Sequence, residues 1–257
     1  MKPSAFLACT LAALAVAGCH SKQANEEATT NAPVKLQQVK PPAGGDWTQV
    51  VNAMPDGGFM MGNPNAKLKL LEIGSLTCPH CQHFEETAIP VLINTYVKSG
   101  QVSWEFRNYV RDAFDLTAAL IVRCNGAQGF FPLSEAIYKD QEDWMTKIQA
   151  APQDKLQQLQ NLPENQQFVE LAKVAGFPDW AAARGIPPAK STQCLSNTKA
   201  IDQLVQMNNT TTNQYPSFQG TPSFAINGTM VDLGSVTEAQ VWPKLQSKIN
   251  AALGSGS

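Results

Sequence analysis

The sequence predicts an α/β fold that is interrupted by an all-helical insertion. Three observations predict it. A strand, a helix and a second strand follow one another within residues 47–114, helical patterns alone fill 115–206, and a hairpin with a last helix occupies 207–257. The chain has 257 residues of which 43% are hydrophobic, enough for a sizeable core.

The N-terminus predicts an exported protein. Lys2 precedes an apolar run that is too short to span a bilayer and is typical of a secretory signal peptide, predicted over residues 1–18. The run ends in Val16-Ala17-Gly18-Cys19, which resembles the lipobox of bacterial lipoproteins, in which the cysteine is lipidated. Ala15-Val16-Ala17 is also a site for ordinary signal peptidase, so both kinds of processing stay open.

Residues 19–46 are predicted to form a disordered tether behind the lipidated cysteine. The stretch is polar, has no aromatic residue and no helical or strand period, and ends near Pro-Pro and Gly-Gly pairs. The whole chain has a formal charge of −2 and 16% charged residues, so it offers no basic surface for phosphates. Nucleic acid is therefore not an expected partner.

The first α/β segment begins with a buried strand in "KLKLLEIGS", whose leucines and isoleucine form a nearly continuous apolar run. Gln82 to Lys98 has near-helical apolar spacing, with a kink expected at Pro90. Gly100 ends this helix, and "QVSWEFRNYV" alternates as a second strand. The three elements predict a βαβ unit.

The helical block and the closing segment come next. Five stretches with helical period lie between about Asp115 and Val205, separated by Gly, Pro and Asn. Asn227-Gly228 between two short apolar runs predicts a hairpin, and a final helix follows. Pro243 fits that helix only if the helix begins at Trp242.

The motif "CPHC", Cys78 to Cys81, carries the chemistry. Haem attachment requires a histidine directly after the second cysteine, and Gln82 stands there. A metal site built from "CPHCQH" is an alternative, although no second pair of ligands with suitable spacing exists. The favoured interpretation is a redox dithiol, because a strand delivers the motif to a helix N-terminus, where unpaired backbone N–H groups stabilise a thiolate.

Each residue of the motif has an expected role. Cys78 is expected to be the exposed nucleophile at the first turn, and Cys81 the buried resolving thiol one turn on. Pro79 presets the helical φ where its missing N–H costs nothing. His80 is expected to place positive charge near the Cys78 thiolate and lower its pKa.

The remaining cysteines predict a second disulfide. Cys9 leaves with the signal peptide and Cys19 is assigned to lipid, which leaves four cysteines in an oxidising compartment and three possible pairings. We expect Cys78 to pair with Cys81 and Cys124 with Cys194. Two free buried thiols at Cys124 and Cys194 are the alternative.

The order of strand, "TCPHC", helix, strand, helical insertion, "GTP", hairpin and helix resembles the DsbA family of bacterial thiol-disulfide oxidoreductases, here a lipoprotein-type member. The resemblance implies a thioredoxin fold with an inserted helical domain. It also implies a cis-proline loop at Pro222, preceded by Thr221, which faces the cysteines and contacts substrate. Glu72, six residues before Cys78, matches a buried acid with a raised pKa that relays the Cys81 proton.

These observations predict a periplasmic, lipid-anchored enzyme that donates its Cys78–Cys81 disulfide to unfolded exported proteins. The resemblance implies a DsbB-like membrane reoxidant as a partner and no cofactor, and sorting rules lean towards the outer membrane. The polar segment ahead of residue 47 is too short to build a dimerisation domain, so a monomer is expected. The alternatives are a disulfide isomerase or reductase of the same fold and a metal-handling lipoprotein.

Overall fold

A computed structural model describes residues 36–42 and 45–254. The predicted signal peptide, Cys19 and most of the predicted tether lie outside the described residues. None of the helices within these residues is long and apolar enough to cross a membrane.

One mixed sheet lies at the centre of the described residues. Its strands are β1 (Val51–Ala53), β2 (Phe59–Gly62), β3 (Leu68–Gly74), β4 (Val102–Asn108), β5 (Ser223–Ile226) and β6 (Thr229–Met230). Their order is β1-β2-β4-β3-β5-β6. Only the pair β3 and β4 is parallel among these neighbours, and the other pairs are antiparallel.

The central strand β3 separates two apolar clusters. Leu68 and Leu70 belong to the large core, whereas Leu71 and Ile73 pack on the opposite face with Tyr215 and other residues. Successive side chains of a strand point to opposite faces, so Glu72 lies on the same face as Leu68 and Leu70. β3 is therefore buried on both faces, as its continuous apolar pattern predicted.

The crossover between β3 and β4 is helical in three parts. α1 (Pro79–Thr87) is followed by α2 (Ile89–Val91) and by a π-helical segment, Leu92–Val97. Ala88 ends α1, two residues before Pro90, which agrees with the predicted interruption. Pro79 occupies the first position of α1, as the CPHC motif predicted, so the helix begins ahead of the apolar spacing that starts at Gln82.

The helical insertion lies between β4 and β5 and has eight helices within the described residues. They are α3 (Ala113–Val122), α4 (Gly126–Lys139), α5 (Gln141–Gln149), α6 (Gln153–Gln160), α7 (Glu164–Ala175), α8 (Phe177–Ala182), α9 (Pro188–Leu195) and α10 (Thr198–Gln214). The apolar α3 packs against α7 and α9. The predicted fold class, α/β with an all-helical insertion, is thus confirmed.

The closing segment contains the predicted hairpin. Asn227 and Gly228 both have positive φ, 50° and 83°, as the tight turn between β5 and β6 requires. α11 (Glu238–Gly254) then packs on α1.

The start of the last helix, which the sequence left open, lies four residues before Trp242, so α11 contains Pro243. One backbone hydrogen bond is lost at a proline in this position. Burial of Leu245 and Ile249, both 0% exposed, compensates for it.

The N-terminal boundary also differs from the prediction. The amide of Val39 donates to the carbonyl of Ser99 at 2.9 Å, and the Trp47 indole donates to the Val39 carbonyl at 2.9 Å. Asp46 caps a short 3₁₀ helix, Trp47–Gln49. The last residues of the predicted tether therefore belong to the folded domain, because backbone hydrogen bonds and an aromatic anchor hold a segment whose composition is polar.

Candidate active site

The CPHC motif lies where β3 passes into α1. Cys78 is the N-cap of α1 with φ −86° and ψ 120°, and Pro79 is the first helical residue. The amide of Cys78 donates to the Ser75 carbonyl at 3.2 Å, which closes the turn between strand and helix. Both cysteines are free thiols in this structure. The predicted placement of a dithiol at a helix N-terminus is what the chain adopts.

Cys78 lies in an environment that stabilises its thiolate. Its pKa is lowered from 9.0 to about 5, chiefly by a hydrogen bond from the Cys81 thiol. Burial opposes this effect, while the Thr221 side chain and the backbone N–H groups of Cys81 and His80 add to it. The two backbone donors are available because the helix N-terminus leaves its first N–H groups without helical partners.

The exposure of Cys78 differs from the prediction. The residue is only 3% exposed, whereas the sequence suggested an exposed nucleophile. Its Sγ lies 3.2 Å from the Thr221 carbonyl oxygen, so the loop before β5 covers it. A segment 143 residues away in the chain provides this cover, and local sequence around the motif contains no sign of it.

Thr221 and Pro222 form the loop that faces the cysteines. The Thr221–Pro222 peptide bond is cis. The two residues also border a groove of about 940 Å³ beside the active site, together with His80, Glu238 and Trp242. The structure thus brings Thr221 and Pro222 to the position implied by the resemblance, and their role in substrate contact stays a prediction.

Cys81 is 0% exposed and has a pKa raised well above 9.0. Burial is the largest cause, followed by the interaction with Cys78. The pKa values of the two thiols therefore differ in the expected direction: Cys78 ionises readily, and Cys81 keeps its proton.

Glu72 is 1% exposed on β3, and its Oε2 accepts a hydrogen bond from the Trp104 indole at 3.1 Å. Burial raises its pKa well above 4.5, and the neighbouring Glu85 raises it further. Glu72 in turn contributes to the raised pKa of Cys81. This is the buried acid expected near the resolving cysteine, and proton transfer through it stays a prediction.

His80 contacts Cys78 differently from the prediction. Its imidazole Nδ1 lies 2.8 Å from Oε1 of Glu238 at the start of α11, and the side chain is 67% exposed. The group of His80 that lowers the pKa of Cys78 is the backbone N–H, and the imidazole is not among the causes. The acidic partner on α11 lies 158 residues away, which explains why the motif alone did not indicate it.

Four buried polar residues near the motif were missed by the sequence analysis. Asp115, Tyr138 and Gln141 come from the helical insertion, and Glu85 lies one turn after Cys81 on α1. Burial raises the pKa of Glu85 to about 8 and that of Asp115 to about 6. Only Asp115 left a signal, as the one acid inside the apolar run of α3.

A second cysteine pair lies in the helical insertion. Cys124 and Cys194 are joined by a disulfide with a Cα–Cα distance of 5.7 Å and a sequence separation of 70. Cys124 follows the end of α3, and Cys194 lies in the last turn of α9. The bridge therefore ties two helices of the insertion together.

The sheet, the crossover helix that begins at CPHC and the cis-proline loop define a protein of the thioredoxin class. The chain belongs to the thioredoxin family, since the family model described as "Thioredoxin" matches residues 55–250. The predicted recognition of a thioredoxin-type chain is confirmed, and its lipoprotein aspect concerns residues outside the described part of the chain.

Solved structures of other proteins agree with this assignment. The chain is 35% identical to a protein-disulfide isomerase from Novosphingobium aromaticivorans, with a TM-score of 0.70, covering 76% of this chain and 96% of that one. Alpha-DsbA1 from Wolbachia pipientis is 20% identical with a TM-score of 0.59, covering 79% of this chain and 93% of that one. The second similarity shows the same fold.

A curated relative covers a similar part of the chain. "Putative protein-disulfide oxidoreductase RP025" from Rickettsia prowazekii is 27% identical over 190 residues, 74% of this chain and 61% of the relative. The chain thus spans about three fifths of the length of this relative.

Proposed function

We propose that the chain is a protein thiol-disulfide oxidoreductase that donates a Cys78–Cys81 disulfide to exported proteins. The observation that carries this proposal is the environment of Cys78, whose pKa of about 5 reflects donors from Cys81, Thr221 and the start of α1. Stabilising the thiolate stabilises the reduced enzyme, which makes the disulfide a stronger oxidant. Disulfide donation is then the favoured direction.

The reaction has two exchange steps. A substrate thiolate attacks Cys78 Sγ of the enzyme disulfide, the substrate–Cys78 bond forms, and Cys81 leaves as a thiolate. Cys81 then takes a proton, for which protonated Glu72 is the proposed donor. A second substrate thiolate attacks the substrate sulfur of the mixed disulfide, so that the substrate is oxidised and Cys78 leaves as the stabilised thiolate.

Location and partners form part of the proposal. Residues 1–18 would direct export, and acylated Cys19 would anchor the domain to a membrane facing the periplasm, with the outer membrane slightly favoured. Unfolded, reduced exported proteins would be the substrates, and the groove beside Thr221 and Pro222 offers them a surface. A DsbB-like membrane protein would reoxidise the dithiol, and the enzyme would act as a monomer.

Disulfide isomerisation is a second candidate. The 35% identical structure from Novosphingobium aromaticivorans is described as a protein-disulfide isomerase. Thr221, whose side chain interacts with Cys78, is a residue that can alter substrate release as well as potential. For the metal-handling alternative there is no such support: within the described residues, no group of three His, Cys, Asp or Glu side chains could hold a metal ion.

Redox equilibration with glutathione tests the proposal. We expect a reduction potential above about −200 mV, together with rapid oxidation of a reduced multi-disulfide substrate. A potential near that of thioredoxin, about −270 mV, with fast rescue of a scrambled substrate and slow oxidation of a reduced one, would overturn donation in favour of isomerisation. A Cys81→Ala variant, which cannot resolve mixed disulfides, should accumulate them and thereby identify substrates.

A further inference from the structure

A buried side-chain amide of the helical insertion bonds the active-site loop. Gln141, the first residue of α5, is 5% exposed. Its Nε2 donates to the Leu76 carbonyl at 2.7 Å and to the Cys78 carbonyl at 3.2 Å. An amide nitrogen has two N–H donors, so both are used on the segment that carries the nucleophile.

Two other side chains of the insertion hold the beginning of the same loop. Asp115 accepts hydrogen bonds from the Ser75 hydroxyl at 2.6 Å and from the Leu76 amide at 2.9 Å. The hydroxyl of Tyr138 donates to the Ser75 carbonyl at 3.0 Å. These contacts fix the loop two to three residues before Cys78. Of the three residues, Gln141 alone bonds Cys78 itself.

The carbonyl that Gln141 contacts is the first acceptor of α1. The amide of Gln82 donates to the same Cys78 carbonyl at 3.1 Å, so this oxygen joins the start of the helix to the insertion. The orientation of the Cys78 peptide determines how the sulfur faces the N–H groups of His80 and Cys81. A side-chain donor that bonds the Cys78 carbonyl therefore also fixes the position of the Cys78 sulfur.

We infer that Gln141 is a positioning residue for thiol-disulfide exchange: its two hydrogen bonds hold the Leu76–Cys78 backbone so that the Cys78 sulfur faces its donors. The helical insertion then tunes the redox centre. The inference rests on the proposed function for its consequence in exchange, while the geometry of the thiolate can be tested without any protein substrate.

The test compares Gln141→Met with Gln149→Met. Methionine has a similar length but no N–H donor, and Gln149 is an exposed residue at the other end of the same helix. The measurement is the pH dependence of Cys78 alkylation by iodoacetamide in protein whose Cys78 and Cys81 are reduced. We expect the apparent pKa of Cys78 to rise by about one pH unit in Gln141→Met and to stay at the wild-type value in Gln149→Met.

A second variant tests the inference if Gln141→Met does not fold. In Gln141→Ala a water molecule can enter the vacated space and satisfy the two carbonyls, so the fold is retained while the fixed donor is lost. The apparent pKa of Cys78 should rise in Gln141→Ala as well. Folded Gln141→Met and Gln141→Ala proteins that both titrate like Gln149→Met would overturn the inference.

Redox equilibration with glutathione separates this inference from the proposed function. A rise of one pH unit in the pKa corresponds to an equilibrium constant for reduction of the enzyme disulfide that is about tenfold smaller. If wild-type protein exchanges no disulfides, the proposed function fails while the alkylation profile still tests Gln141. If wild-type protein is active and Gln141→Met has the same equilibrium constant, the role of Gln141 fails and the function stands.

Discussion

The two cysteine pairs lie at opposite ends of helices. Cys78 caps the N-terminus of α1, where unpaired N–H groups and the positive end of the helix dipole stabilise a thiolate. Cys124 and Cys194 lie at the C-terminal ends of α3 and α9, where unpaired carbonyls have the opposite effect. Cys78 is therefore placed for thiol-disulfide exchange, whereas Cys124 and Cys194 are placed for a stable disulfide.

The chemistry of exchange explains why this difference matters. A disulfide opens readily when the leaving sulfur is stabilised as a thiolate, and it persists when neither thiolate is stabilised. The Cys124–Cys194 bridge also spans 70 residues, whereas only two residues separate Cys78 from Cys81. A long closed loop stabilises a fold by restricting the unfolded chain, and a short one contributes little in this way.

The largest expected effect separates the pairs by activity. Cys78→Ser removes the nucleophile, so turnover in reduction of insulin by dithiothreitol should fall at least about 1000-fold. Cys124→Ser with Cys194→Ser should keep activity within about threefold of wild type, because neither residue contacts Cys78. Comparable losses in the two proteins would show that the pairs do not have separate roles.

The next effect separates the pairs by stability. Loss of the Cys124–Cys194 bridge should lower the free energy of unfolding by about 4 kcal/mol, the chain-entropy value for a loop of this length. Denaturant unfolding of the double serine variant measures it, with reduction of Cys78–Cys81 in wild-type protein as the control. If the Cys124–Cys194 bridge contributes less to the free energy of unfolding than the Cys78–Cys81 disulfide does, the assignment of structural and redox roles is contradicted.

The sequence predicted the parts of this arrangement that local patterns encode. Pro79 after Cys78, the apolar run of β3 and the Asn227-Gly228 turn are readable because backbone conformation and strand burial have local signatures. β1 and β2 were missed, since their burial depends on α4 and β4, which come later in the chain. Contacts such as His80 with Glu238, or Gln141 with Cys78, join distant residues and leave no periodic signal.

A third prediction concerns Glu85, which lies one turn beyond Cys81. Its pKa in the folded protein is about 8 against an ordinary 4.5, so the folded state binds more protons than the unfolded state between these values. The free energy of unfolding therefore falls as the pH rises through this window. Glu85→Gln should remove this dependence and stabilise the protein by about 3 kcal/mol at about pH 7, relative to its effect at about pH 4.

Unfolding curves at several pH values check this expectation, with Glu86→Gln, an exposed neighbour on α1, as the control. The change should alter the pH slope of stability, whereas loss of the Cys124–Cys194 bridge should shift the stability curve without changing its slope. A Glu85→Gln protein with the wild-type slope would show that Glu85 is ionised normally in the fold.

The smallest expected effect concerns His80. Its imidazole forms an exposed contact with Glu238, and such a contact contributes less than about 1 kcal/mol. His80→Ala retains the backbone N–H that interacts with Cys78, so the pKa of Cys78 should rise by less than about one pH unit. Glu238→Gln should change it still less. A large rise of the Cys78 pKa in His80→Ala would show that the imidazole stabilises the thiolate, as the motif predicted.

The central claim is that its surroundings keep Cys78 ionised at neutral pH, and titration of the thiolate absorbance tests it most directly. In protein with Cys78 and Cys81 reduced and the Cys124–Cys194 bridge intact, Cys78 and Cys81 are the two of the four cysteines within the described residues that can contribute to the change in absorbance. We predict an apparent pKa of about 5 for Cys78, with Cys81 titrating far above it. A first ionisation near about 8.5, the ordinary value for a cysteine, would contradict the account.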